Sequence, residues 1–139
     1  MSPLNTSYTG RTYPPTAPYE VGAETLREFA EAVGSASPGR EATPTFPIVL
    51  SMRAEKQVID DPDFGFDFDR VIHRDQRFES ARPVRAGDRL TVTVEVVTAE
   101  TVDGNDVVTL RGRIREADGG ALVCTTTSTL VSRKSGGDR

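Results

Sequence analysis

From Ala23 onward the apolar residues Leu26, Phe29, Ala30 and Val33 recur at spacings of three and four, which is one stripe of a helix. Glu24 falls in its first turn, where the helix dipole favours negative charge, and Gly34 supplies a stop. A second helix is predicted from Phe46 or Pro47 through "PIVLSMRAEKQVI", since a proline in the first turn removes only an N–H that would be unpaired anyway. Ile48, Val49, Leu50, Met52 and Val58 make this helix apolar almost all round, so it is expected to be wrapped by other elements. After "DDPDFGFDFD" the period changes to two. Leu90, Val92, Val94 and Val96 alternate with Thr91, Thr93 and Glu95; Val108, Leu110 and Ile114 repeat the pattern around Gly112; "ALVCTTTSTLV" is largely β-branched. "DGN" (103–105) and "DGG" (118–120) supply the positive-φ residues of tight hairpins.

These periods predict a three-strand antiparallel meander preceded by a strand over 70–80. That strand, "RVIHRDQRFES", alternates poorly and is expected to face a partner subunit. Three prolines in "TYPPTAPYEV" (12–21) exclude a helix interior and suit an extended edge segment. The alternating Phe64, Phe66 and Phe68 read as rings that patch the edge of the core, with a mobile aromatic lid as the alternative. The fold class is α+β, a curved antiparallel sheet around a central apolar helix. The expected boundaries are a flexible N-terminus over 1–10, one domain over 11–133 and a flexible tail over 134–139.

Composition narrows the function classes. With 139 residues, 27% charged and 36% hydrophobic, the chain has the balance of a globular protein. A net charge of -4 argues against nucleic acid as a partner. Arginine outnumbers lysine 15 to 2, a usage expected of a GC-rich genome, with phosphate recognition by arginine's planar fork as the alternative. The lone Cys124 cannot form an internal disulfide, no apolar run reaches a membrane span, and the first residues lack a signal-peptide core, so the expected location is cytoplasmic. One histidine and one cysteine do not make a metal site, and no metal or cofactor is expected.

Three local motifs carry a family resemblance. "RPVRAGDRLTVTVEV" (82–96) is similar to an "RP-x-x-x-GD-x-L" segment that leads into a strand; "TPTFPIVL" (43–50) to a "P-x-T-F" entry into a central helix; and "VIHRDQRFE" (71–79) to a "hydrophobic-H-x-x-Q-x-F-E" strand. In their order along the chain, 43–50, 71–79 and 82–96, they resemble the hotdog fold of MaoC-type (R)-specific enoyl-thioester hydratases and dehydratases. The likeness extends to their N-terminal half-domains and to small actinobacterial dehydratase subunits, and it covers about 100 of the 139 residues. Gly87 and Asp88 read as a structural turn, with Asp88 capping its free N–H groups.

The resemblance also identifies what is missing. Complete members carry a loop similar to "FA-x-x-S-G-D-x-N-P-h-H", whose Asp and His activate water or take the proton during dehydration. Laid on this chain, Phe29, Ala30, Gly34 and Pro38 match, while Ser35 stands at the Asp position, Ser37 at the Asn position and Arg40 at the His position. Serine is no base at neutral pH without help, and arginine stays protonated. No conventional catalytic residue is therefore assigned.

Other candidates stand beside this reading. His73, with Asp75 two residues on and so on the same face of a strand, is a candidate substitute base; the alternative is a half-exposed histidine at a subunit interface. Glu55 is the residue a hotdog thioesterase would use, against a solvated helix-face glutamate, and Cys124 reads as packing. Thr45, Phe46, Pro47 and Leu50 are the candidate substrate-binding residues, with N–H groups at the start of the second helix holding a thioester carbonyl. Arg82, Arg85 and Arg89 are candidates for carrier phosphates, against a solvated basic turn.

What the resemblance implies is a non-catalytic hotdog subunit of a heteromeric (3R)-hydroxyacyl-ACP or -CoA dehydratase, or of an enoyl-thioester hydratase. Such a subunit shapes the acyl-chain tunnel and pairs with a dyad-bearing hotdog. The alternative is a stand-alone homodimer that binds acyl thioesters, or a thioesterase. The expected ligand in both is an acyl-CoA or an acyl carrier protein thioester.

Overall fold

The computed structural model describes residues 3–35 and 40–133. The first edge strand β1 (Tyr19–Glu20) leads into helix α1 (Ala23–Ala32) and then the central helix α2 (Pro47–Ile59). Four strands follow: β2 (Val71–Ser80), β3 (Arg89–Val102), β4 (Asn105–Glu116) and β5 (Leu122–Ser132). They form one antiparallel sheet in the order β1-β3-β4-β5-β2, so β2 crosses over the meander to pair with β5.

The meander forms for the reasons its sequence announces. Asp103 and Gly104 take φ of +52° and +80°, the conformation of a two-residue hairpin whose twist matches that of its strands. Leu90, Val92, Val94 and Val96 of β3 are buried, as are Val108, Leu110 and Ile114 of β4, and they meet α2 on one face of the sheet. Register shifts between Val96 and Thr98, and between Ile114 and Arg115, mark bulges that bend the sheet. At Gly112 a Cβ would lie 2.6 Å from Thr126 Oγ1 and 3.6 Å from Ser51 Cβ. Glycine there admits the central helix close to the sheet.

Residues 3–10, within the stretch expected as a flexible N-terminus, make contacts with the core. Leu4 and Tyr8 are buried, Tyr8 stacks on Phe64 at 5.4 Å, and the Asn5 N–H donates to the Phe64 carbonyl at 2.8 Å. Phe64 packs on Phe66, and Phe66 edge-on against Phe68, so the acidic aromatic loop closes one end of the core as a patch. The chain then runs along the outer side of β3, with bonds from the N–H groups of Gly10, Tyr13 and Thr16 to the carbonyls of Val96, Val94 and Val92. One sheet edge is thereby covered, and β2 forms the opposite edge. Residues 1–2 and the expected tail over 134–139 lie outside the described residues.

Helix α1 buries Leu26 and Ala30 and ends at Gly34 with φ +78°, where Ser35 donates its N–H back to the Ala30 carbonyl at 2.8 Å. Val33, expected in the buried stripe, is 51% exposed because it follows the last helical residue. No helix among the described residues is long and apolar enough to cross a membrane.

Candidate functional site

The start of α2 and the turn before β3 enclose a cleft of about 490 Å³, lined by residues 41–44, Pro47 and residues 80–84. Both walls are tied together by backbone. Ala42 N–H donates to the Val84 carbonyl at 2.7 Å, Ala86 N–H donates to the Arg40 carbonyl at 3.0 Å, and Glu41 bridges Arg85. The segment that leaves α1 is thus anchored on the 82–88 turn. That turn is itself built by Asp88, which accepts from the Arg85 N–H at 2.8 Å and from the Arg82 guanidinium at 2.8 Å, while Gly87 takes φ +93°. The structural reading of Gly87 and Asp88 fits this geometry.

The cleft's chemistry is mostly apolar. Ala42, Pro44, Pro47, Pro83 and Val84 supply hydrocarbon. The Thr43 hydroxyl oxygen is buried there without a partner among the described residues. The one lining carboxylate, Glu41, accepts from Arg85 at 3.3 Å, and the lining includes no histidine, aspartate or cysteine. Such a cavity can hold an apolar chain; it offers no unpaired base.

Of the four expected substrate-binding residues, only Pro47 lines the cleft. Phe46 and Leu50 are fully buried, Phe46 edge-on to Phe29 at 5.4 Å, so both are core residues, and Thr45 is exposed outside the lining. The first N–H groups of α2 are also occupied: those of Phe46, Ile48 and Val49 donate to the carbonyls of Thr43, Thr45 and Phe46 at 2.9–3.1 Å. A thioester carbonyl would have to displace them. Sequence reasoning misses Thr43 and the 80–84 wall, because the signals of the turn are structural ones and its position opposite α2 is a long-range fact.

The three arginines considered for carrier phosphates, against a solvated basic turn, are each paired. Arg82 binds Asp88 at 2.8 Å and Glu116 at 3.0 Å, Arg85 binds Glu41, and Arg89 binds Asp118 at 3.3 Å. They therefore serve first to hold the turn and the β3–β4 end together. Ser35 and Arg40 are both exposed at the two ends of the loop after α1; Ser37 and Pro38 of the same loop lie outside the described residues.

His73 and Asp75 do not share a face. A bulge between them puts His73 opposite Leu130 and Asp75 opposite Thr129, whose side chains point to opposite sides of the sheet. Asp75 instead reaches Arg77 at 3.4 Å, and His73 stands exposed. The imidazole–carboxylate pairing expected from the spacing of two is lost to that single inserted residue.

Glu55 departs furthest from expectation. It is 5% exposed, not solvated, and its carboxyl is pushed up to about 7 by burial, against a hydrogen bond from Ser128 that works to lower it. It lies between α2 and β5, outside the cleft lining. Cys124 is fully buried, and burial pushes its thiol up as well, in keeping with a packing role.

Comparison with known proteins fits this frame. Residues 7–126 match the family model for the FAS1-like dehydratase domain region. A UPF0336 protein of Streptomyces coelicolor is 46% identical over 94% of this chain and 95% of its own length, and a UPF0336 protein of Thermobifida fusca is 37% identical over 92% and 93%. Among solved structures, a chain of the C-terminally truncated HadBC (3R-hydroxyacyl-ACP dehydratase) complex of Mycobacterium tuberculosis superposes with a TM-score of 0.80 at 28% identity, over 93% of this chain and 100% of that chain. The (R)-hydratase PhaJ1 of Pseudomonas aeruginosa shares the fold, with a TM-score of 0.66 at 20% identity over 91% and 83%. With its curved five-strand sheet laid on a central helix, the chain belongs to the FAS1-like dehydratase-region family, among the small actinobacterial UPF0336 proteins with the MaoC-like hotdog fold.

Proposed function

We propose that this protein is a dyad-lacking hotdog subunit of a (3R)-hydroxyacyl-ACP or -CoA dehydratase, or of an enoyl-thioester hydratase, and that it shapes the acyl-chain tunnel for a dyad-bearing partner. The observation that carries the reading is the cleft at the start of α2. Its walls suit an acyl chain, its single carboxylate is held by Arg85, and the adjoining loop has Ser35 and Arg40 where the family resemblance implies an acid–base pair. Dehydration needs a group that removes a proton from carbon, and a guanidinium cannot do so.

The open edge supports the partner half of the proposal. β2 offers ten residues of strand whose outer side pairs with no other strand among the described residues, with Ile72 49% exposed on it, and an unpaired strand edge is a template for another chain. The structural neighbour from the HadBC complex, a chain that this one matches over its full length, supports a partnered state. The alternative of a thioesterase with Glu55 as base loses support, because Glu55 faces Ser128 in the interior and not the cleft. A homodimer that binds acyl thioesters without turning them over remains the competing outcome.

Hydration of a short trans-2-enoyl-CoA by the purified protein decides between them. The expected result is no turnover alone and turnover on adding a dyad-bearing hotdog subunit, beyond what that subunit achieves by itself. Robust turnover by the protein alone would overturn the proposal, and His73→Ala would then be the variant to compare.

A further inference from the structure

Ser128 stands between two acceptors. Its hydroxyl oxygen lies 3.1 Å from a carboxylate oxygen of Glu55 on α2 and 2.7 Å from the side-chain carbonyl oxygen of Gln76 on β2. A hydroxyl has one proton to donate, so it cannot donate to both. The conflict resolves in one of two ways. If Glu55 is neutral, its O–H donates to Ser128, Ser128 donates to Gln76 Oε1, and Gln76 Nε2 is left to donate to the Thr127 carbonyl at 3.4 Å, so every group has a partner. If Glu55 is ionised, Ser128 must donate to it, and the Gln76 amide must turn over to donate Nε2 to Ser128. The turned amide then points its oxygen at the Thr127 carbonyl oxygen, two acceptors face to face.

The position of this chain of groups gives it a consequence. Gln76 and Ser128 are register partners, so the Gln76 side chain spans the pairing of β2 with β5. β2 is the edge strand, and Glu55 sits behind it on the central helix.

We propose that Glu55, Ser128 and Gln76 form a proton-linked clamp on the docking edge: the neutral carboxyl closes β2 onto β5, and its ionisation turns the Gln76 amide over and loosens β2. The link to docking rests on the reading of β2 as the edge a second hotdog subunit pairs with. An ordered strand is the better template, because a loose one must be ordered at the moment of association. Docking therefore weakens as Glu55 ionises.

The surroundings leave the carboxyl as the switch. Around Ser128's partner Leu110, β3 and β4 turn apolar residues and Gly112 toward the central helix; the titratable group on that face of β4 is the buried Asp106, four residues from Leu110, which accepts from Thr101 at 2.7 Å. From β5 come Thr126 and Ser128, with the buried Cys124 further along. On α2 itself, Lys56 is turned outward to Asp60 at 2.6 Å. From β2 the titratable group on that face is His73, exposed, with Arg74 in the bulge beside it. Burial holds the Glu55 proton into the neutral range.

The test is nuclear magnetic resonance on the full chain labelled with carbon-13 and nitrogen-15, titrated from about pH 5.5 to about pH 8.5 in a His73→Gln background that removes the imidazole. The Glu55 carboxyl carbon and the Gln76 side-chain NH2 resonances are expected to move with one midpoint, and in Glu55→Gln the Gln76 resonances are expected to stay still. Ser128→Ala, which cuts the chain in the middle, is expected to leave Glu55 titrating and Gln76 unmoved. Gln76 resonances that stay still in the otherwise intact chain, or that move as much in Glu55→Gln, would overturn the clamp. With a dyad-bearing partner added, docking is expected to weaken about tenfold across the same range, a coupling of usual size, and to lose that dependence in Glu55→Gln. Docking that is equally tight at both ends of the range would overturn the link to the edge. If no partner docks at any pH, the heteromeric reading fails, and the resonances still decide the clamp.

Discussion

Glu55 exposes the cost of placing a carboxyl between a helix and a sheet. In the folded protein burial holds it up to about 7, whereas in the unfolded chain it has the ordinary value of 4.5. Between those values the folded state keeps a proton that the unfolded state has released, so stability falls as pH rises from 4.5 to about 7. The loss amounts to about 3 kcal/mol when the whole shift is counted. Glu55→Gln is expected to flatten that slope in urea denaturation series across the same range; an unchanged slope would place the acid-side stability in other groups. Gly112 is the second residue where one atom decides. A methyl group there would lie 2.6 Å from Thr126 Oγ1, so that β-branched side chain or the backbone must shift, while Ser51 at 3.6 Å is in ordinary contact. Gly112→Ala is expected to cost about 1–3 kcal/mol, read as a lower denaturation midpoint with unchanged slope.

At the scale of elements, the two helices and the meander follow their sequence periods, and the departures have local causes. Helix α2 turns Ser51 and Glu55 inward and leaves Met52 and Ile59 about half exposed, because the sheet covers only one of its sides. A period-based reading finds an apolar helix but cannot say which side is covered. In β2 one inserted residue reverses the faces of His73 and Asp75, and nothing in "VIHRDQRFE" announces the bulge. The turn at 82–88 was legible for the opposite reason: its signals are the local Pro83, Gly87 and Asp88. The Arg82 guanidinium joins that turn to the end of β4 through Glu116, a partner 34 residues away. Asp88→Asn is expected to destabilise the protein by about 1–2 kcal/mol by weakening both the Arg82 pair and the Arg85 N–H bond. Arg85→Ala, whose pair with Glu41 is exposed, is expected to change stability by less than about 1 kcal/mol. Equal effects of the two would contradict the structural role of Asp88.

At the scale of the whole molecule, the sheet is asymmetric. The N-terminal segment covers the β3 side, and among the described residues β2 is left as the edge. Shortening the chain to begin at residue 11 is expected to expose the core around Phe64 and lower the thermal midpoint, since Leu4 and Tyr8 pack there. An unchanged midpoint would mean that this segment contributes only coverage of the edge.

The sequence by itself determined the fold class, the order of elements, both helices, both hairpin turns and the family, because periodicity and turn chemistry are local and each is repeated along the chain. It also supplied the motif on which the proposal rests, with Ser35 and Arg40 at the positions where the resemblance implies an acid–base pair. Only the tertiary structure decided that Phe46 and Leu50 belong to the core, that residues 80–84 face Thr43 across a cleft, and that Glu55 is buried against a serine 73 residues away. Those facts depend on which strand lies behind which helix and on the parity of each bulge. Both are fixed by the packing of distant segments, and a pattern of neighbouring residues carries no record of them.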